Sequence, residues 1–143
     1  MSKGRPRGFA LPRWYNGSMY EICVAVSFHA AHFLREYEGK CAHLHGHTWR
    51  VKAAVSGDSL SHAGMVMDFH DLKALLEKTV ALLDHACLND LEPFDHASPT
   101  SENIARHVYG ALKEGLGSSA PGVRLSWVSV SESPDTEVIY REG

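Results

Sequence analysis

The 143 residues carry 44% hydrophobic and 22% charged side chains and a formal net charge of −3. That length suits one domain with its own core, and the mildly acidic balance excludes a basic nucleic-acid binder as a reading of the whole chain. No apolar run approaches the roughly 20 residues of a membrane helix, no secretory-type apolar stretch follows Lys3 and Arg5, and three scattered cysteines, Cys23, Cys41 and Cys87, form no disulfide framework, so a chain that acts in the cytoplasm, away from membranes, is expected.

Residues 1–19 hold Gly4, Pro6, Gly8, Pro12 and Gly17 with no sustained period and read as an irregular extension. Phe9, Leu11, Trp14 and Tyr15 make it too apolar for a simple tail, so part of it is expected against the body or a neighbouring subunit. Residues 20–143 read as a single domain. Tyr20, Ile22, Val24, Val26 and Phe28 alternate with Glu21, Cys23, Ala25 and Ser27, the period of a strand. A second alternating run puts His45, His47, Trp49, Val51, Ala53 and Val55 on one face, and Ser56-Gly57-Asp58-Ser59 ends it with turn residues. Asp68 is a natural N-cap for a helix whose stripe is Phe69, Leu72, Leu76, Val80 and Leu83, with Asp84-His85 at its close. After a loop over residues 89–99, Thr100 caps a second helix with the stripe Ile104, Val108, Leu112 and Leu116. Residues 123–131 and 136–140 alternate again around the turn Ser133-Pro134-Asp135 and read as a hairpin. The order β-β-α-α-β-β predicts an α+β fold, a four-stranded antiparallel sheet with two helices on one face. Its two open edges invite pairing with other subunits.

Ten histidines stand out, and their spacing matters more than their number. In a strand, residues i and i+2 share a face about 7 Å apart, so His45 and His47 can meet one metal, with Gly46 between them letting the backbone come close. His32 has the parity of the apolar face of the first strand and can reach them if the two strands are neighbours. Three neutral imidazoles with an open position are the donor set of a catalytic zinc site, and Cys-x-x-Cys pairs of the structural kind are absent. His43, in the preceding loop, is a rival ligand.

Cys41 stands four residues before His45. A thiolate near cationic charge is a nucleophile and a usable base, so Cys41 is a fourth ligand, a catalytic base or a small buried hydrophobe; Cys23 and Cys87 read as ordinary packing residues. Asp84 beside His85 can orient the ring for proton transfer, while a histidine at a helix C-terminus also suits the dipole. Glu132 continues the Val128, Val130 face, where a carboxylate needs a partner. A flat heterocycle with adjacent N–H and NH₂ groups would supply one; otherwise Glu132 simply emerges into water. A hydrolytic zinc site would want a carboxylate beside the metal-bound water, and no glutamate adjoins His45-Gly46-His47 in sequence. No Gly-x-Gly-x-x-Gly segment signals a dinucleotide.

Six pieces occur together: Phe28-His29-Ala30-Ala31-His32, Cys41-x-x-x-His45-Gly46-His47, Met67-Asp68-Phe69-His70-Asp71-Leu72-Lys73, Leu83-Asp84-His85-Ala86-Cys87-Leu88-Asn89-Asp90, Pro99-Thr100-Ser101-Glu102-Asn103 and Val128-x-Val130-x-Glu132. In this order they resemble the 6-pyruvoyl-tetrahydropterin synthase / 6-carboxy-tetrahydropterin synthase family. The resemblance implies Zn²⁺ on His32, His45 and His47, and Cys41 as the catalytic cysteine. It implies Asp84 and His85 as the other part of a proton relay, supplied across a subunit boundary. Glu132 is then the pterin anchor, with Thr100, Ser101 and Glu102 beside it. It further implies the tunnelling fold, three subunits closing a barrel and two trimers forming a homohexamer. The three-residue gap between Cys41 and His45 is similar to that of bacterial 6-carboxy-tetrahydropterin synthases. These are lyases that turn the small-molecule substrate 7,8-dihydroneopterin triphosphate into 6-carboxy-5,6,7,8-tetrahydropterin, acetaldehyde and triphosphate for queuosine and related 7-deazapurine synthesis. The 6-pyruvoyl activity, or a non-catalytic zinc- or pterin-binding module, are the alternatives. Arg50 and Lys52 are candidate triphosphate partners. His29 stands where members of this family often carry other residues, and the N-terminal extension matches nothing in the family core.

Overall fold

A computed structural model describes residues 19–117 and 120–143; the expected N-terminal extension lies outside these except for Met19. The two alternating runs become long strands, β1 (Tyr20–His32) and β2 (His45–Gly57). They pair antiparallel along their whole length, from Tyr20 opposite Gly57 to His32 opposite His45. Helix α1 follows (Phe69–Val80), then a two-residue strand β3 (Ala86–Cys87), helix α2 (Ser101–Leu116), β4 (Arg124–Ser131) and β5 (Val138–Tyr140).

The sheet order is β3-β1-β2-β4-β5. It has five strands and is mixed, which corrects the expected four-stranded antiparallel sheet: Ala86 and Cys87 run parallel to Ala30 and Ala31. Two residues cannot declare a period, so this strand exists only because β1 offers an edge there. Beyond Ala30–Ala31 the outer edge of β1 has no strand beside it among the described residues.

Both helices are capped as the sequence predicts. The Asp68 carboxylate accepts from the His70 amide at 2.7 Å, and the Thr100 hydroxyl accepts from the Asn103 amide at 3.2 Å. Each accepts from an amide left unpaired in the first helical turn. Leu72, Leu76 and Val80 of α1 and Ile104, Val108, Leu112 and Leu116 of α2 are buried against Val24, Val26, Phe28, Trp49, Val51, Val128 and Val130 of the sheet. Phe69, counted in the α1 stripe, is 56% exposed, because the core does not reach the first turn. Helix α1 stops at Val80, so Asp84-His85 does not close it: the pair lies in the turn that leads into β3. The 89–99 loop begins within a short 3₁₀ turn, Leu88–Asp90.

Candidate metal centre and proton-relay turn

Register builds the metal corner. His32 is opposite His45 in the ladder, and His47 follows two residues later on the same face. Their ligand atoms all lie within 4.8 Å of one another, the one such group found among the described residues. Trp49 is the next residue on that face and forms the floor. It is fully buried, donates from Nε1 to the Ala30 carbonyl at 3.2 Å, and sets its ring edgewise to His32 and His47 at 4.8 and 5.3 Å.

The hydrogen bonds decide what these imidazoles present. His32 Nδ1 donates to the Pro99 carbonyl at 2.8 Å, and His45 Nδ1 donates to the His43 carbonyl at 2.6 Å. A carbonyl only accepts, so each Nδ1 carries the proton and each neutral ring offers a lone pair at Nε2. Those two Nε2 atoms stand 3.0 Å apart. His47 Nε2 is buried with no hydrogen-bond partner. Burial pushes the pKa of both His32 and His47 down, which keeps the rings neutral. Lone pairs facing one another, with an orphaned nitrogen beside them, are reconciled by a cation at their centre. Carbonyls on the far ring nitrogens are the outer-shell partners that orient metal-bound histidines. The three residues therefore fit Zn²⁺.

The surroundings correct several expectations. His43 contributes its carbonyl, and its own ring is outside the cluster and exposed. A side chain at position 46 would meet only the Ala30 oxygen, at an ordinary 3.9 Å, so close backbone approach is not what Gly46 provides. Glu132 lies just past β4. The register that sets Val51 opposite Val130 carries it beside the corner, with Oε2 3.7 Å from His47 Nε2 and 3.9 Å from His32 Nε2. A carboxylate thus does stand by the histidines, although none adjoins them in sequence. Cys41 sits half-buried in the 3₁₀ turn Lys40–Ala42 just ahead of His43, its carbonyl accepting from Leu34 N–H. Thr100, Ser101 and Glu102 open α2 directly after Pro99, whose carbonyl holds His32.

Asp84 and His85 form a second arrangement. Asp84 Oδ2 lies 2.9 Å from His85 Nδ1, and Asp84 Oδ1 accepts from the His29 amide at 2.9 Å. That backbone hydrogen bond, followed by the one to His85, holds the Asp84 pKa below the usual carboxylate value. His85 adopts a left-handed φ of 57°, uncommon without glycine, and its amide donates to the His29 carbonyl at 2.5 Å. The His29 ring meets the His85 ring edgewise at 5.7 Å and is 3.0 Å from the Thr48 hydroxyl through Nδ1. His29 is thus the residue that clasps the pair, and the only sequence signal for it was its departure from the family pattern. His29, Thr48, His85 and Cys87 share a cleft of about 560 Å³ with His47.

The two candidate triphosphate cations diverge. Lys52 is paired with Glu137 at 2.7 Å and lies over the Trp127 ring, whereas Arg50 lines a separate cleft with Lys73, Glu77 and Asp84.

Fold and corner together define an α+β protein whose sheet presents three clustered histidines able to hold a metal. The 6-pyruvoyl tetrahydropterin synthase family matches residues 21–143, and the chain belongs to that family. A 6-carboxy-5,6,7,8-tetrahydropterin synthase of Synechocystis sp. is 46% identical over 101 residues, spanning 67% of this chain and 77% of the relative. Another, of Bacillus subtilis, is 33% identical over 127 residues, spanning 85% of each. The 6-pyruvoyl tetrahydropterin synthase of Caenorhabditis elegans superposes with a TM-score of 0.77 at 28% identity, over 88% of this chain and 97% of that one.

Proposed function

We propose that the chain is a zinc-dependent 6-carboxy-5,6,7,8-tetrahydropterin synthase, a lyase that converts 7,8-dihydroneopterin triphosphate to the 6-carboxy product, acetaldehyde and triphosphate. The observation that carries this reading is the convergence of His32, His45 and His47, with the Nε2 lone pairs of His32 and His45 facing inward, in a chain 46% identical over 101 residues to a protein of that name. Lewis-acid polarisation of the substrate's side-chain hydroxyls is the chemistry that bound Zn²⁺ supplies there. Cys41 and His85 take and return protons at the side chain, and Asp84 orients His85 through the 2.9 Å contact at Nδ1. Glu132 accepts hydrogen bonds from the pterin ring, and Thr100, Ser101 and Glu102 line the same end of the pocket.

Among the described residues the sheet ends at β5 on one side and, on the other, at the two-residue β3 and the stretch of β1 that β3 leaves uncovered. Pairing these two sides between subunits would close a barrel, with two trimers forming a homohexamer and Asp84-His85 of one subunit serving the zinc of its neighbour. A small-molecule pathway enzyme of this kind would act in the cytoplasm, in queuosine and related 7-deazapurine synthesis. The 6-pyruvoyl reaction is the second reading, favoured by the likeness to the nematode enzyme.

The test is turnover of 7,8-dihydroneopterin triphosphate by zinc-loaded protein, with mass spectrometry of the pterin and a trap for acetaldehyde. Acetaldehyde with 6-carboxy-tetrahydropterin is expected. Retention of the three-carbon side chain would assign the 6-pyruvoyl reaction. No turnover by folded, zinc-loaded oligomer would leave a binding module and remove the roles given to Cys41 and His85.

A further inference from the structure

Glu132 occupies a position that a pterin anchor does not require. Its Oε2 is within 4 Å of two ring nitrogens, 3.7 Å from His47 Nε2 and 3.9 Å from His32 Nε2. His32 Nε2 presents a lone pair, because its Nδ1 proton is committed to the Pro99 carbonyl. His47 Nε2 is buried and without a hydrogen-bond partner. Among the described residues, Glu132 pairs with these two imidazoles and with no lysine or arginine. An anionic acceptor facing the His32 lone pair is repelled unless a cation lies between them.

Spacing points the same way. With metal–ligand bonds of about 2.0–2.2 Å, neighbouring ligand atoms of a tetrahedral zinc site stand roughly 3.3–3.6 Å apart. The 3.0 Å between His32 and His45 and the 3.7 and 3.9 Å to Glu132 bracket that edge. The strand delivers this without distortion: Glu132 follows Val128 and Val130 on the face that His47 and Trp49 share across the ladder.

We infer that Glu132 is the fourth protein ligand of the metal in the substrate-free enzyme. Substrate hydroxyls replace it, and the released carboxylate then turns to the pterin ring. This rests on the reading that the corner holds zinc and that Glu132 anchors the pterin. The resting site is closed, three imidazoles and one carboxylate, and opens only as substrate enters. One carboxylate therefore couples binding of the ring to opening of the metal.

The test compares wild type with Glu132→Gln and Glu132→Ala in the absence of substrate. Zinc affinity is measured by competition with a chelating dye, and the visible spectrum of the Co²⁺-loaded proteins reports the ligand set. Loss of a ligand is expected to weaken zinc binding on the order of 10–100-fold, the range found even for lost outer-shell partners, and to change the Co²⁺ spectrum in both variants. Adding the pterin to wild type should move its spectrum as well. Thermal unfolding of the metal-free proteins controls for misfolding. Unchanged zinc affinity and superimposable Co²⁺ spectra in wild type and both variants would overturn the assignment. Turnover assayed in parallel separates the two levels. A metal response without pterin turnover keeps the ligand and removes the pterin reading, while normal wild-type turnover with no metal response does the reverse.

Discussion

His45 and His47 sit in a ladder that pairs β1 with β2 along their full length, whereas Asp84 and His85 sit in a turn clasped by one residue of β1. In the first region the backbone of two long strands fixes where the side chains point, and substituting one side chain leaves the frame intact. In the second, the carbonyl and the ring of His29 hold the left-handed His85 while its amide holds the Asp84 carboxylate, so a few contacts carry the whole arrangement. The rigid frame suits the metal proposed for it. The proton-transfer role proposed for His85 falls on a residue of left-handed backbone, the kind of local strain found at functional turns.

His45→Ala should produce the largest effect. It removes one of the three proposed histidine ligands from a frame that needs no side chain there, so circular dichroism should be unchanged while stoichiometric zinc binding and turnover are lost. A variant that still copurifies with one zinc per chain would sink the assignment. Asp84→Ala tests the other region. Turnover should fall by about 10²–10⁴-fold, the usual worth of positioned proton transfer, with zinc content unchanged. Equal loss of zinc would mean that the two regions are not independent.

The joint between them is the α2 N-terminus, because Pro99 holds His32 and the next residue caps the helix. Thr100→Ala should destabilise the fold by about 1 kcal/mol, read as a lower thermal midpoint. An unchanged midpoint would show that the cap is not needed. The smallest effect concerns His107 on α2, half-buried against Phe94 with its rings 5.2 Å apart. Burial lowers its pKa from the ordinary 6.5. The unfolded chain then binds the proton more readily, so stability is complete above about 6.5 and declines as pH falls through that value toward the lowered pKa. In His107→Gln this acid-side slope should be shallower in urea titrations across pH 5–8, the range over which histidines titrate. An identical slope would assign the pH dependence to other groups.

Much of the metal corner was legible because strand parity is local: His32, His45 and His47 share the face of Val26, Phe28, Trp49 and Val51, and two neighbouring strands are enough to join them. Both helix caps were legible for the same reason, each being written in three or four consecutive residues. What failed was non-local. Strand β3 has two residues and no period, and Asp84-His85 was read as a helix end because the stripe continues to Leu83, which is buried although the helix has stopped.

The sequence by itself determined the fold class, the two long strands, the two amphipathic helices and the three histidines, since each follows from the 2.0 or 3.6 periodicity of side-chain direction. Only the tertiary structure decided that residue 132 stands beside residues 32 and 47, that His29 clasps Asp84-His85, that His43 serves through its carbonyl, and that a fifth strand joins the sheet. Those contacts join residues up to about a hundred positions apart and depend on which strands become neighbours, an arrangement set by burying both helices on one face of the sheet.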